Sequence, residues 1–342
     1  MIMQTEELWR SIENDAATGR SGIGGWLLRL ARPDAACPLF LGIELSSRRR
    51  AIMLRLPQAS LPSRRLWPRS KGLESFAVAL DNNPHFGVCL KETRYADVFT
   101  ALTEDLVRRV TEAGNPAAQA KAFLGQLTRW QKFLSAPSDG LGEEAQRGLW
   151  GELRLLREVL LPAFGTGTVQ SWKGGERAHQ DFQMSSGAIE VKTTLAKKPQ
   201  VVRITSERQL DDSTLPVLFL SVLSLDLREG GETLPALVGS VREKLAGDAS
   251  ARESFEDGLL ETGYMDAHAG RYESGYSVRT MSFFRIAPEF PRIVESDLPA
   301  GTGDANYALD VSACDPFRIT QEEMIAVLSV AGESAKSRRK HV

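Results

Sequence analysis

The stretch Asp181-Phe182-Gln183-Met184-Ser185-Ser186-Gly187-Ala188-Ile189-Glu190-Val191-Lys192 reads as two short strands joined by a turn. Successive side chains of a strand point to opposite faces, so Ile189 and Val191 bury into a core while Glu190 and Lys192 project together from the other surface. Ser185-Ser186-Gly187 supplies a tight turn that folds Asp181 back beside Glu190. Two carboxylates and an ammonium then converge. Hard cations such as Mg²⁺ are held by one or two carboxylates with water and phosphate oxygens, and a neighbouring lysine can stabilise charge at a reacting phosphate. Taken alone, Glu and Lys two apart on a half-exposed strand also describe an ordinary solvated face.

The flanking sequence decides what the pattern belongs to. Gly142 to Leu161 is an amphipathic helix in which Leu149, Leu153, Leu156 and Leu160 recur at three-and-four spacing. Glu152 lies at the edge of that stripe, where an acid is either a solvated neighbour or a further metal ligand. Downstream, Val201-Val202-Arg203-Ile204 is a third strand, Ser206 caps a short helix through Leu210, and Pro216 opens the apolar run Val217 to Leu223. The order is helix, three strands, helix, strand.

With Gly148-Leu149-Trp150-Gly151-Glu152-Leu153, Ile189 to Thr194 and Ser206 to Leu210 in view, the chain resembles the PD-(D/E)xK nuclease superfamily. More narrowly, it is similar to a bacterial family within it that is often encoded beside phage-defence and restriction genes. Phe283-Phe284-Arg285-Ile286, Phe290-Pro291-Arg292-Ile293 and Glu295-Ser296-Asp297-Leu298-Pro299 extend the resemblance over most of the chain. One departure is that Asp181 follows Gln180 rather than proline. The resemblance implies an α/β fold with a restriction-endonuclease-like αβββαβ core. It also implies that Asp181 and Glu190 bind Mg²⁺, or Mn²⁺, with the carbonyl of Val191 as a backbone ligand, that Lys192 orients or activates the attacking water, and that Glu152 is an additional ligand. Gln209 is placed where related nucleases set a polar residue facing the site. Arg177 and His179, on a glycine-flanked loop before Asp181, are candidates for phosphate contact, although loop Arg and His are more often simply solvated.

The rest of the chain frames this centre. At 342 residues, with 42% hydrophobic and 25% charged, it is long enough for two or three compact domains. Its 42 basic and 44 acidic residues give a formal charge of -2, so any DNA contact must be local rather than a global basic field. Cys37, Cys89 and Cys314 are odd in number and lack metal-ligand spacing, which suggests neither a disulfide framework nor a zinc site and fits a reducing cytoplasm. No apolar run spans a bilayer, and Met1 to Ile12 reads as an amphipathic helix rather than a signal peptide.

Four segments follow: an N-terminal β-rich module over 1–92, connecting helices and a linker over 93–141, the nuclease-like core over 142–225, and a C-terminal α+β extension over 226–342. In the first, strands at Phe40 to Leu45, Ala51 to Leu56 and Phe76 to Leu80 are divided by turns such as Asp81-Asn82-Asn83-Pro84. Helices follow from Ala96 to Thr111 and, capped by Asn115, to Leu134; Ser135 to Gly140 has linker composition. Further on, Pro235 to Leu245 and Glu253 to Leu260 are helical, Tyr272 to Ile286 is a strand, and Thr320 to Glu323 is a capping box.

Arg48, Arg49 and Arg50, with Arg55, Arg64, Arg65, Arg69, Lys71 and Trp67, form a candidate phosphate-binding patch or the charged edge of a hairpin. The basic terminal string Lys336 to His341 reads as a disordered end, and the aromatics Tyr272, Tyr276, Phe283, Phe284 and Phe290, with Trp150 and Trp172, read as packing residues. The expected function is a cytoplasmic Mg²⁺-dependent DNA endonuclease of restriction or phage defence, a homodimer or a member of a complex with partner proteins of a defence system. The alternatives are a catalytically inactive DNA-binding or adaptor subunit of a defence complex, and a nuclease acting on RNA or on branched or modified DNA.

Overall fold

The computed structural model describes residues 5–32, 37–67, 72–92, 95–134, 140–174 and 178–339. The chain divides into two compact units, Met1–Ser138 and Asp139–Val342, and the division falls in the linker composition of residues 135 to 140.

The first unit holds α1 (Thr5–Ala17), β1 (Trp26–Arg32), β2 (Leu39–Glu44), β3 (Arg50–Arg55), β4 (Leu73–Leu80), β5 (Asn83–Leu90), α2 (Ala96–Glu112) and α3 (Pro116–Leu134). Its strands form one antiparallel sheet in the order β1-β2-β3-β5-β4. Trp9 and Ile12 of α1, Ile52 and Leu54 of β3, Phe86 of β5, Leu102 and Leu106 of α2 and Phe123 of α3 are buried as its core. The two connecting helices therefore belong to the β-rich module. Two strands go beyond the sequence reading. β1 is one, and β5 is the other: the turn is only Asp81-Asn82, both at positive φ, and Asn83 already pairs with Leu80. Asn115 caps α3 through its Oδ1, which accepts from the Ala118 N–H at 2.9 Å.

The second unit opens with α4 (Glu143–Leu155), which runs through one π turn (Leu156–Leu160) into α5 (Leu161–Phe164). The widening coincides with Pro162, which has no N–H to give the carbonyl four residues back. Then come β6 (Phe182–Met184), β7 (Gly187–Thr194), β8 (Val201–Ile204), a 3₁₀ turn (Glu207–Leu210) and β9 (Leu218–Thr233). They are followed by α6 (Leu234–Lys244), α7 (Ala249–Thr262), β10 (Gly275–Arg285), β11 (Tyr307–Asp310), β12 (Arg318–Ile319) and α8 (Gln321–Arg339). The main sheet has the order β12-β10-β9-β7-β6, with β7 parallel to β9 and its other pairs antiparallel. The chain order of helix, three strands, helix, strand is as read from sequence, with two differences. β8 leaves the main sheet to pair with β11, and the helix after it is a single 3₁₀ turn.

Both faces of the sheet are covered. Ile189 and Val191 of β7, with Phe219 and Leu223 of β9, pack with Leu149 and Leu153 of α4, Leu237 of α6 and Phe255 of α7. On the opposite face Ala188, Leu218, Leu220 and Val222 pack with Val202 and Ile204 of β8, Leu210, Phe284 and Leu309. Alternation assigns Glu190 and Lys192 to this second face. The C-terminal segment completes both cores, so it is part of this unit rather than an appendage. Tyr272, Tyr276, Phe283, Phe284 and Phe290 are all buried packing residues. α8 begins with the expected capping box, the Thr320 N–H donating to Glu323 Oε2 at 2.8 Å and the Glu323 N–H to Thr320 Oγ1 at 3.1 Å. It continues as helix to Arg339 where composition reads as a disordered end, and residues 340–342 lie outside the described residues. No helix among the described residues is long and apolar enough to cross a membrane.

Candidate active site

The site forms where β6 stops. Its last pairing toward the N-terminus is Phe182 with Ile189, so the edge of β7 beyond Ile189 has no strand partner on that side. The Val191 N–H points to this open edge, and in place of a strand carbonyl the Asp181 carboxylate accepts it, Oδ2 lying 2.7 Å away. A strand residue presents its N–H and C=O to the same side, so the Val191 carbonyl projects from the same edge. Asp181 is thus placed by the hairpin of β6 and β7 and clamped by one backbone bond.

Glu190 and Lys192 flank this point on β7. The Lys192 ammonium is 2.7 Å from Glu190 Oε1 and donates to Gln209 Oε1 at 3.1 Å. Sequence alternation predicts an exposed surface here, but Glu190 is only 1% exposed because β8 and the 3₁₀ turn roof this face. The Lys192 ammonium and the Asp181 backbone N–H are the donors that face this carboxylate. Two donors are few for a carboxylate buried to this degree, so its ionised form is costly.

Glu152 reaches the same edge from α4. Gly151, beside it, allows the helix to lie close on β7: a Cβ there would fall 2.3 Å from Thr193 Cγ2. The Trp172 indole N–H donates to Glu152 Oε2 at 2.8 Å, so this tryptophan both packs and orients an acid. Nothing in the sequence marks that second role, since the two residues lie on different elements.

The electrostatics are those of crowded acids in a dry site. Burial pushes the Glu190 carboxyl up to about 8, with the Asp181 charge adding to the rise. Asp181 is pushed to about 6 by burial, against the opposing pull of Lys192 and of the Val191 N–H. Glu152 is raised well above the usual carboxylate range by burial and then by the Asp181 charge. Burial alone would lower Lys192, but the charges of Glu190, Asp181 and Glu152 outweigh it and hold the ammonium protonated.

This donor set fits a hard divalent cation. Its ligand atoms are carboxylate and carbonyl oxygens, two of them on the buried Glu190, and a divalent positive charge would offset the burial that raises the acids. Among the described residues no three His, Cys, Asp or Glu side chains form a ready-made ligand cluster. An ion would therefore be held by Asp181, Glu190 and the Val191 carbonyl with water or phosphate oxygens completing the shell, and with Glu152 beside them.

The other sequence candidates fall out differently. Gln209 sits on the 3₁₀ turn and faces the site: its Oε1 accepts from Lys192 and from the Thr205 N–H at 2.9 Å. His179 is exposed just ahead of Asp181, and Arg177 lies outside the described residues. Arg49 is bound to Glu44 and Glu74, at 2.7 Å each, and Arg50 is 2.7 Å from Glu13, 3.6 Å from Glu6 and stacked over Trp9. These two guanidiniums serve the first unit's own ion pairs, which favours the charged edge over the phosphate-binding patch of the two sequence readings. Arg48 is exposed in the β2–β3 turn at positive φ, while Arg69 and Lys71 lie outside the described residues.

Searches of curated proteins and of solved structures returned no match to this chain. A family model described as "Putative PD-(D/E)XK family member, (DUF4420)" matches residues 5–312, and the chain belongs to that family.

Proposed function

We propose that this protein is a divalent-metal-dependent DNA endonuclease that hydrolyses phosphodiester bonds in restriction or phage defence. The observation that carries the reading is the meeting of Asp181, Glu190 and Lys192 at the open edge of β7, with Glu190 almost fully buried. Asp181, Glu190 and the Val191 carbonyl would hold Mg²⁺ or Mn²⁺, with Glu152 as a further ligand directly or through water. A bound ion would supply Lewis-acid polarisation of the phosphate. Lys192 stays charged and has three N–H bonds, of which Glu190 and Gln209 occupy two directions. The third is free to stabilise an oxygen whose charge grows in the transition state. The enclosed face excludes bulk water and strengthens that interaction. Membership of a nuclease-like family supports the same class of reaction.

The test is cleavage of methylated and unmethylated plasmid by purified protein, with EDTA, Mg²⁺ or Mn²⁺. Metal-dependent cleavage that Lys192→Ala abolishes is the expected result. Titration calorimetry of Mn²⁺ should show binding that Asp181→Ala removes. Cleavage and in-cell defence untouched by Glu190→Ala and Lys192→Ala would replace this reading with that of a DNA-binding adaptor.

A further inference from the structure

Gln180 stands directly before Asp181, is 5% exposed, and ties two parts of the site together. Its Nε2 donates to the carbonyl of Arg208 at 2.8 Å and lies 3.4 Å from that of Gln209, while its Oε1 accepts from Gln183 Nε2 at 3.0 Å. Carbonyls only accept, so the orientation of this carboxamide is fixed by its partners. Arg208 and Gln209 belong to the 3₁₀ turn, four residues long and weakly held by its own hydrogen bonds. The turn is pinned from outside: by Gln180, by the Ala305 N–H donating to Glu207 Oε2 at 2.8 Å, and by Arg292, which donates to the Leu210 carbonyl. Of these ties, Gln180 comes from the residue next to Asp181.

Gln209 in turn has its Oε1 fixed toward Lys192 by the Thr205 N–H, which can only donate. The backbone bond made by Gln180 therefore sets where the Gln209 oxygen meets the Lys192 ammonium at 3.1 Å. We infer that Gln180 is a positioning residue, linking Asp181 to Lys192 through the 3₁₀ turn and Gln209. Where the superfamily motif would have a rigid proline, this chain has a hydrogen-bonding clamp. Without the Gln209 contact the ammonium can swing fully onto Glu190 and no longer hold an N–H available for a reacting oxygen. The catalytic consequence rests on the proposed role of Lys192; the geometric consequence does not.

The test compares Gln180→Met, which keeps length and apolar packing, Gln180→Glu, which keeps shape but cannot donate at neutral pH when ionised, and Gln209→Leu. One readout is the Nζ–H correlation of Lys192 in lysine-nitrogen-labelled protein, assigned with Lys192→Ala. The other is the split between kcat and KM. Expected are a displaced or broadened Lys192 signal in all three variants and a loss of roughly 10- to 100-fold in kcat with KM little changed, the scale of a small misplacement at a reacting group. The Gln180→Met, Gln209→Leu double variant should be no worse than Gln209→Leu alone. The inference is overturned if both folded Gln180 variants leave the Lys192 signal as in wild type while Gln209→Leu moves it, or if the kcat losses multiply. If wild-type protein cleaves nothing with Mg²⁺ or Mn²⁺, the nuclease reading fails, and the Lys192 signal still decides the positioning claim.

Discussion

At the scale of single residues, burial of the two acids sets a measurable pH dependence. Asp181 and Glu190 have folded-state values of about 6 and 8, against ordinary values of 3.8 and 4.5. Between those limits the folded chain holds more protons than the unfolded one, so stability is greatest below the unfolded values and falls as pH rises through the folded ones. Metal-free protein in EDTA should show a melting temperature that declines from pH 5 to pH 8, and Glu190→Gln should flatten the upper part of that slope. On the proposed function Mg²⁺ would bind the ionised acids, so the rise in melting temperature it produces should grow with pH. A metal-free melting curve that climbs across this window would show that the acids are not buried together. Trp172→Phe makes a second residue-scale test. It keeps the packing against Phe255 but leaves Glu152 Oε2 without its indole donor. A fall in Mn²⁺ affinity of about 10-fold by calorimetry is expected, the lower end for loss of an outer-shell partner; unchanged affinity would place Glu152 outside the ion's surroundings.

At the scale of elements, the site depends on how closely α4 lies on β7. Gly151→Ala would put a Cβ 2.3 Å from Thr193 Cγ2, so helix or strand must move. Overpacking of this kind costs about 1–3 kcal/mol, partly offset by the roughly 1 kcal/mol that alanine gains over glycine inside a helix. Thr193→Ser removes the opposing methyl. The double variant should therefore unfold at higher denaturant than Gly151→Ala alone, and equal midpoints would deny the close approach. The elements also show why some of the architecture was legible and some was not. The β6–β7 hairpin, α4 with its leucine stripe, and the caps of α3 and α8 are written in local periodicity and turn chemistry, which a single chain displays. The departure of β8 to pair with β11 is decided by residues about a hundred positions downstream, from Tyr307 to Asp310. β5 was hidden because Pro84 resembles a turn residue, although it tolerates a strand position where its missing N–H is not needed. Burial of Glu190 was hidden for the same long-range reason, since alternation shows which face a side chain takes and not what covers that face. The bond that orients Glu152, from Trp172, likewise joins elements that sequence alone does not bring together, whereas the resemblance had already set Gln209 facing the site.

At the scale of the whole molecule, charge and unit boundaries decide where DNA affinity can arise. A formal charge of -2 provides no global attraction to phosphate. The arginine run that seemed to offer a local one is spent in part on ion pairs: Arg49 joins Glu44 on β2 to Glu74 on β4, and Arg50 joins β3 to Glu13 on α1. Those partners are scattered over the first unit's sequence, which is why the run looked free before the fold was known. Half-buried pairs of this sort stabilise by modest amounts, yet removing one partner leaves the other uncompensated. Arg50→Ala should accordingly lower the midpoint of first-unit unfolding, with about 1–2 kcal/mol as the expected size for one lost charged contact together with its stacking on Trp9. It should leave the slope of log affinity for DNA against log salt unchanged, because it releases no counterion from phosphate. Residues 139–342 carry two cores of their own and the whole candidate site, so that fragment should melt cooperatively and give the same Mn²⁺ titration as the full chain. Should Arg50→Ala instead flatten the salt slope by about one unit while stability is unchanged, the arginine contacts phosphate in solution, and the first unit is a DNA-binding surface after all.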